Sequence, residues 1–166
     1  MINLNKSVQY ISENRQETIQ ALLNFLPCDV LLFWSENEEL CKLQQEQWFP
    51  LLQKLKQDFS LNFKTTCSLD IPDNVEVTNL FANMLNDMSE TELTVCMLCA
   101  ERLKSVISGF MVAKKQISAE QAFQVANLEE YYQTNYWGID VTAEKMRQQI
   151  KEELLQIEEY FYGKMS

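Results

Sequence analysis

The stretch SETELTVCMLCAERLKSVISGFMVAKK, residues 89–115, decides the predicted fold because apolar residues cover most sides of the helix it would form. Ser89 and Glu92 form a capping-box pattern, which predicts that this helix begins at Ser89. Apolar positions then recur as far as Phe110. A helix that is apolar on most sides must be surrounded by other elements. We therefore predict a central helix that ends near residue 115.

Other helical patterns flank this segment on both sides. Ser35 with Glu38, and Ser118 with Gln121, repeat the capping-box pattern, so we expect helices to begin there. Gly138 is suited to the left-handed position that ends a helix. Apolar residues at helical spacing predict further helices. Besides the central helix, the predicted helices cover residues 7–26, Ser35 to Phe59 with a kink at Pro50, 74–86, Ser118 to Tyr136, and Thr142 onward.

Two short stretches have strand-like patterns instead. Residues 28–34 form a continuous apolar run between Pro27 and Ser35, and residues 61–69 alternate apolar with more polar residues before Pro72. Two strands alone are marginally stable in water, so we expect them to pair and to be covered by helices. The predicted fold is mainly α: a single helical domain over residues 1–166 with a small two-stranded β ribbon from about residues 29–34 and 62–68.

The composition excludes several classes of function. The chain has 24 acidic and 14 basic residues, and its net charge of −10 would repel nucleic acid and anionic membranes. No apolar run approaches the roughly 18 residues of a membrane helix, so we expect no membrane insertion. Histidine is absent, which removes imidazole bases and imidazole metal ligands. A cationic or amphipathic protein partner remains compatible with this charge.

The five cysteines include the pair Cys96 and Cys99, which has the C-x-x-C spacing of some zinc and redox sites. A structural zinc site would need a second pair or histidines, and the sequence has neither. Both residues fall on the apolar face of the central helix, where cysteine is an ordinary core residue. We therefore expect no metal and no cofactor. Because no export signal opens the chain, we expect free thiols in a reducing compartment.

Glu129 lies at the centre of a stripe of small and aromatic residues when residues 121–138 are wound as one helix. One interpretation is a buried anchor that pairs with a lysine or caps a neighbouring helix. The other is a partly exposed docking surface with Glu129 as its polar centre. Glu130 lies on the flank of the stripe, whose other members are Ala122, Val125, Ala126, Tyr132, Gln133 and Tyr136.

Trp137 and Gly138 close this helix, with several tyrosines nearby. A core tryptophan that seals the turn is one interpretation, and an interface residue is the other, since tryptophan is enriched at binding hot spots. A catalytic role for Glu129 with Glu130 or Asp140 lacks any nucleophile–base pair, so we do not expect an enzyme.

Four stretches of the chain resemble one chaperone family. The sequence LEEYYQTNYWG, residues 128–138, is similar to its L-E-E-x-x-Q-x-x-x-W-G signature, and QQEQWFPLL, residues 44–52, is similar to its Q-x-x-Q-W-x-P-L-L pattern. FLPCD at 25–29 and ISAEQA at 117–122 resemble two further family segments in the same order. This family assembles the F-one sector of ATP synthase, and its members bind the free alpha subunit.

The resemblance implies an assembly chaperone with one protein client, no cofactor and no catalytic chemistry. By this resemblance, Glu129 corresponds to the functionally important glutamate of the family. It also implies a cytoplasmic protein of bacterial type, or a protein of the mitochondrial matrix in a eukaryote, in which the N-terminal β domain of fuller members is absent. The alternatives are a small carboxylate- or thiol-dependent enzyme and a structural helical protein with no client. The candidate partner-binding residues are Glu129, Glu130, Gln133, Tyr136, Trp137 and Gly138.

Overall fold

Helices account for nearly all regular structure in the computed structural model, which describes residues 2–163. Over that range the backbone forms ten α-helices and two short 3-10 turns, at Leu26–Cys28 and Val30–Leu32. None of these helices is both long and apolar enough to cross a membrane. The helices are α1 (Leu4–Glu13), α2 (Arg15–Phe25), α3 (Glu38–Gln47), α4 (Phe49–Phe59), α5 (Val75–Asn86), α6 (Glu90–Leu103), α7 (Val106–Ala113), α8 (Ala119–Ala126), α9 (Leu128–Trp137) and α10 (Val141–Tyr162).

The predicted central helix is buried, as expected, but it is two helices. Lys104 adopts a left-handed conformation with φ 53° and ends α6, and α7 begins after Ser105. The buried Asp29 carboxylate accepts hydrogen bonds from the Ile107 N–H (2.8 Å) and the Ser105 hydroxyl (2.9 Å), which holds the start of α7. Burial raises the pKa of Asp29 to about 6. All eight residues of α7 are buried.

Gly109 lets α6 and α7 pack against each other at backbone distance. A Cβ at this position would lie 2.6 Å from the Cys96 carbonyl oxygen and 2.9 Å from the Ala100 nitrogen. Neither is a flexible side-chain atom, so any larger residue would force the two helices apart. The close approach of α6 and α7 therefore depends on a glycine.

The predicted two-stranded ribbon is wrong. Residues 26–32 form the two 3-10 turns, the second capped by the Asp29 side chain, which accepts the Leu31 N–H at 3.0 Å. The two segments do meet, but through one isolated parallel bridge between Phe33 and Thr66. Residues 61–65 form no regular secondary structure. The apolar run therefore forms a 3-10 turn instead of a strand, and Leu31 and Leu32 in this turn are buried.

Several predicted helix limits also need correction. The capping boxes at Ser89 and Ser118 are confirmed, each with both reciprocal hydrogen bonds. The box at Ser35 is wrong, because Asn37 caps α3 by accepting the Leu40 N–H at 3.0 Å. The interruption near Pro50 is confirmed as the boundary between α3 and α4. The predicted helix over 7–26 is divided at Asn14.

Candidate docking surface

The predicted stripe around Glu129 is not one continuous face, because the helix that carries it breaks at Asn127. Ala122 and Val125 belong to α8 and are buried. Ala126 is the last residue of α8 and is half-buried. Glu129 and the remaining members of the stripe belong to α9, in which only Leu128 is buried. The prediction of a single helix from Ser118 to Tyr136 is therefore wrong, and its α9 part faces outward.

The break is stabilised by a contact from a distant part of the chain. The indole N–H of Trp48, which is fully buried, donates to the Val125 carbonyl at 2.8 Å. In a continuous helix this carbonyl would accept the N–H four residues further on. The Asn127 side-chain amide donates to the Phe123 carbonyl at 2.9 Å and closes the end of α8. The Q-x-x-Q-W-x-P-L-L stretch thus contacts the chain directly before the break between α8 and α9.

Glu129 is partly exposed, and within residues 2–163 its carboxylate takes part in no ion pair. Glu130 does take part in one, since it lies 3.5 Å from the Arg147 guanidinium. Arg147 also contacts Glu144 at 2.9 Å, and its guanidinium lies 5.3 Å from the centre of the Tyr131 ring. The residue with an anchoring partner is therefore Glu130 and not Glu129.

Trp137 ends α9 and projects into solvent, with 88% of its surface exposed. The core interpretation of this residue is therefore wrong. Gly138 follows with φ 84° and ψ 175°. The positive φ expected for Gly138 is found, but this ψ lies outside the left-handed helical region, in a region open essentially to glycine alone. Ile139 and Val141 are also exposed. We call residues 136–141 the Trp-Gly turn.

Two tyrosines tie α9 to the first turn of α3. The Tyr136 hydroxyl donates to Glu39 Oε2 at 2.6 Å, and the Tyr132 hydroxyl lies 3.2 Å from the same oxygen. The two rings pack with their centres 5.1 Å apart. The hydrogen bond to Glu39 raises the pKa of Tyr136, because the carboxylate accepts a hydrogen bond from the proton-bearing form of the hydroxyl. Sequence reasoning missed Glu39, because no local pattern marks a contact between residues 97 positions apart.

The structure offers little support for a metal-binding site or for a reactive thiol at Cys96 or Cys99. Among residues 2–163, no group of three histidine, cysteine, aspartate or glutamate side chains could hold a metal ion. Cys96 and Cys99 are fully buried on α6. Burial raises the pKa of Cys96 and raises that of Cys99 to about 12, so both stay as unreactive thiols at neutral pH.

Thiol titration of the native protein should therefore separate the cysteines into two groups. Cys28 and Cys67 are exposed and should react rapidly with Ellman's reagent, with partly exposed Cys41 behind them. Cys96 and Cys99 should react only after denaturant is added. Rapid modification of all five thiols in the folded protein, monitored by circular dichroism, would contradict the buried placement of the pair.

Comparison with known proteins extends these observations. No family model matches the chain. The protein atp12, mitochondrial, of Schizosaccharomyces pombe is 26% identical over 138 residues, which cover 78% of this chain and 47% of that protein. The chain therefore spans about half the length of this curated relative.

Two solved structures share the fold. The crystal structure of Atp12 from Paracoccus denitrificans matches with a TM-score of 0.88 at 19% identity, over 95% of this chain and 69% of that one. The Agrobacterium tumefaciens protein Atu1473 matches with a TM-score of 0.78 at 21% identity, over 92% of this chain and 58% of that one. The helical architecture is thus that of the Atp12 structure. Together with the sequence match, it makes the chain a homologue of Atp12 and confirms the family resemblance.

Proposed function

We propose that this chain is an assembly chaperone that binds the free alpha subunit of the ATP synthase F-one sector and shields it until it pairs with beta. The observation that carries the proposal is the exposed Trp137 at the end of the family signature, in a chain homologous to Atp12. A single domain over residues 1–166, in the compartment where the F-one sector assembles, completes the proposal. That compartment is the bacterial cytoplasm or the mitochondrial matrix.

The physical demands on such a chaperone match the surface described above. A subunit without its partner exposes an apolar patch that favours aggregation. A protein that covers this patch for a limited time needs an aromatic anchor and a polar surround that the true partner can displace. The Trp-Gly turn supplies the aromatic and aliphatic groups, and the α9 carboxylates supply the polar surround.

The candidate residues divide the binding between them. Trp137 is the apolar anchor, and Gly138 sets the turn that projects it. Glu129 supplies a free carboxylate, while Glu130 is already held by Arg147 and contributes less. Gln133 is exposed and supplies an amide on the same helix. Tyr136 packs beside Tyr132, and its ring extends the aromatic surface.

The alternative functions have weaker support. A thiol-dependent enzyme would need an accessible thiolate, whereas burial raises the pKa of both Cys96 and Cys99. A carboxylate-dependent enzyme would need a second group close to Glu129, and the neighbouring Glu130 is bound to Arg147. A structural protein without a client would have no use for a solvent-facing tryptophan next to an exposed isoleucine and valine.

The proposal is tested by mixing the purified chain with purified alpha subunit and following alpha-subunit aggregation by light scattering. We expect suppression at near-equimolar ratios, a complex on size-exclusion chromatography, and release of the chain when beta subunit is added. Bovine serum albumin at the same concentration controls for crowding. Aggregation at the same rate with and without the chain would reject the proposal.

Glu129→Gln should weaken alpha-subunit binding by about 1–3 kcal/mol, the scale of a hydrogen bond to a charged group. The change keeps the shape of the side chain and removes its charge. The free energy of unfolding should change little, because Glu129 has no ion-pair partner among the described residues. Calorimetric titration with alpha subunit and urea unfolding of the same variant measure the two effects.

Glu130→Gln is the matched control one residue along the helix. It removes the contact with Arg147, which is a partly exposed ion pair and contributes little to stability. We expect a smaller loss of binding than for Glu129→Gln. A lower melting temperature with unchanged binding in Glu129→Gln would remove Glu129 from the docking surface.

A further inference from the structure

The outer half of α9 is held by very little apolar packing. Leu128, its first residue, is the one buried position in the helix. Tyr131 is half-buried, with its ring centre 6.3 Å from that of Phe123 and beneath the Arg147 guanidinium. Beyond Tyr131 the helix continues for about one and a half turns to Trp137 without a buried side chain. The direction in which Trp137 projects therefore depends on contacts other than core packing.

Those contacts converge on one carboxylate of α3. Glu39 Oε2 accepts the Tyr136 hydroxyl at 2.6 Å and lies 3.2 Å from the Tyr132 hydroxyl. A hydroxyl has one proton, so Tyr132 can donate to only one of Glu39, the Asn37 side-chain oxygen at 3.2 Å and the Tyr136 oxygen at 3.3 Å at a time. Tyr136 is the constant donor, and it immediately precedes Trp137.

Glu39 is itself well placed to act as a fixed point. It lies in the first turn of α3, where the helix dipole favours a carboxylate. Asn37 caps this turn, and the next residue, Leu40, is buried. The α3 side of the contact is thus anchored to the core, whereas the α9 side is not.

We propose that Glu39 is a positioning residue for client docking, which holds Tyr136 and Tyr132 so that Trp137 faces the client in a single orientation. The inference rests on the proposed function and adds to the docking site a residue of α3 that lies outside the family signatures. Glu39 acts through the tyrosines and need not touch the client. Its removal lets the outer half of α9 sample other orientations, and the client must then bear the entropic cost of ordering it.

If Glu39 had a purely structural role, its removal would lower the melting temperature, and any loss of binding would follow from unfolding. Tyr136 and Glu39 are both exposed, and hydrogen bonds exposed to water contribute little to global stability. Loss of the contact should therefore leave the melting temperature almost unchanged while binding weakens. The tyrosine also provides a spectroscopic signal, because the bond to Glu39 raises the pKa of Tyr136.

The test compares Glu39→Ala, Glu39→Gln and Glu38→Ala in calorimetric titrations with alpha subunit. Glu38 is exposed in the same turn of α3 and serves as the matched control. We expect Glu39→Ala to lower the affinity about three- to tenfold, the net scale of one typical hydrogen bond, since Glu39 acts on the client only through the tyrosines. Glu38→Ala should change the affinity less than twofold. Glu39→Gln keeps an acceptor oxygen and should recover part of the loss.

Two further measurements separate positioning from folding. Tyr136→Phe should weaken binding in the parent chain and have a smaller additional effect in Glu39→Ala, because both changes break the same contact. Absorbance at 295 nm should show one tyrosine that ionises at lower pH in Glu39→Ala than in the parent chain, and that is missing in Tyr136→Phe. Equal affinities for Glu39→Ala and Glu38→Ala would overturn the inference.

Failure of the inference is distinguishable from failure of the proposed function. If Trp137→Ala weakens binding and Glu39→Ala does not, the docking surface stands and the positioning role is rejected. If neither variant changes the affinity, the client binds elsewhere on the chain, and the proposed docking surface is rejected with it.

Discussion

Trp137→Ala should weaken binding of the alpha subunit by about 2–4 kcal/mol, which corresponds to roughly 30- to 1000-fold in affinity. The side chain is 88% exposed in the free protein, so a client that covers it would bury a large aromatic surface. The free energy of unfolding should change by no more than about 0.5 kcal/mol, as for other surface substitutions. Calorimetric titration and urea unfolding of the same preparation measure both.

Tyr10→Ala is the matched control for Trp137→Ala. Tyr10 is an aromatic residue on α1 with 63% of its surface exposed, so its removal also deletes solvent-facing apolar area. We expect its affinity for the alpha subunit to equal that of the parent chain. Equal losses in the two variants would show that binding responds to general surface hydrophobicity instead of the Trp-Gly turn.

The sequence predicted the helices best where a local side chain closes the helix end. Ser89 with Glu92, and Ser118 with Gln121, form both reciprocal hydrogen bonds within four residues of each other. Such a pattern does not depend on the rest of the fold, so it can be read from the chain directly. The burial of most apolar residues of α6 and α7 was likewise predictable, because an exposed helix rarely carries so many apolar residues.

Unlike the interruption at Pro50, the breaks at Lys104 and Asn127 were not predictable from local patterns, because residues distant in the chain contact both junctions. The break at Asn127 depends on Trp48, whose indole binds the Val125 carbonyl. The break at Lys104 is followed by a helix whose start is held by Asp29. The false ribbon has a related cause: a short apolar run is compatible with a buried strand or with another buried element, and periodicity does not separate them. Here the Asp29 cap favours a 3-10 turn.

The docking surface was predictable in its residue types but not in its geometry. The family signature identified Glu129 and Trp137, yet the two interpretations of each, buried or exposed, could not be separated from the sequence. The outward direction of α9 separates them, and it follows from the break at Asn127. Glu39 lies outside every motif and is brought to the site only by the packing of α3 against α9.

The two tryptophans of the family-like stretches should therefore behave in opposite ways when replaced. Trp48 is fully buried, and its indole N–H donates to Val125. Trp48→Ala should lower the free energy of unfolding by about 3–5 kcal/mol, the usual cost of truncating a buried large aromatic residue. Native proteins are stable by only about 5–15 kcal/mol, so this loss is a large fraction of the total stability.

Trp48→Phe keeps an aromatic ring in the core but removes the indole N–H donor and part of the ring volume. We expect it to cost about 1–3 kcal/mol more than Trp137→Phe, the same change at an exposed tryptophan. Where Trp48→Phe remains folded, its affinity for the alpha subunit should stay within a factor of about three of the parent chain, since Trp48 lies in the core. Urea unfolding followed by far-ultraviolet circular dichroism gives the stability. A loss below about 1 kcal/mol in Trp48→Ala would show that the Trp48 contact does not fix the junction of α8 and α9.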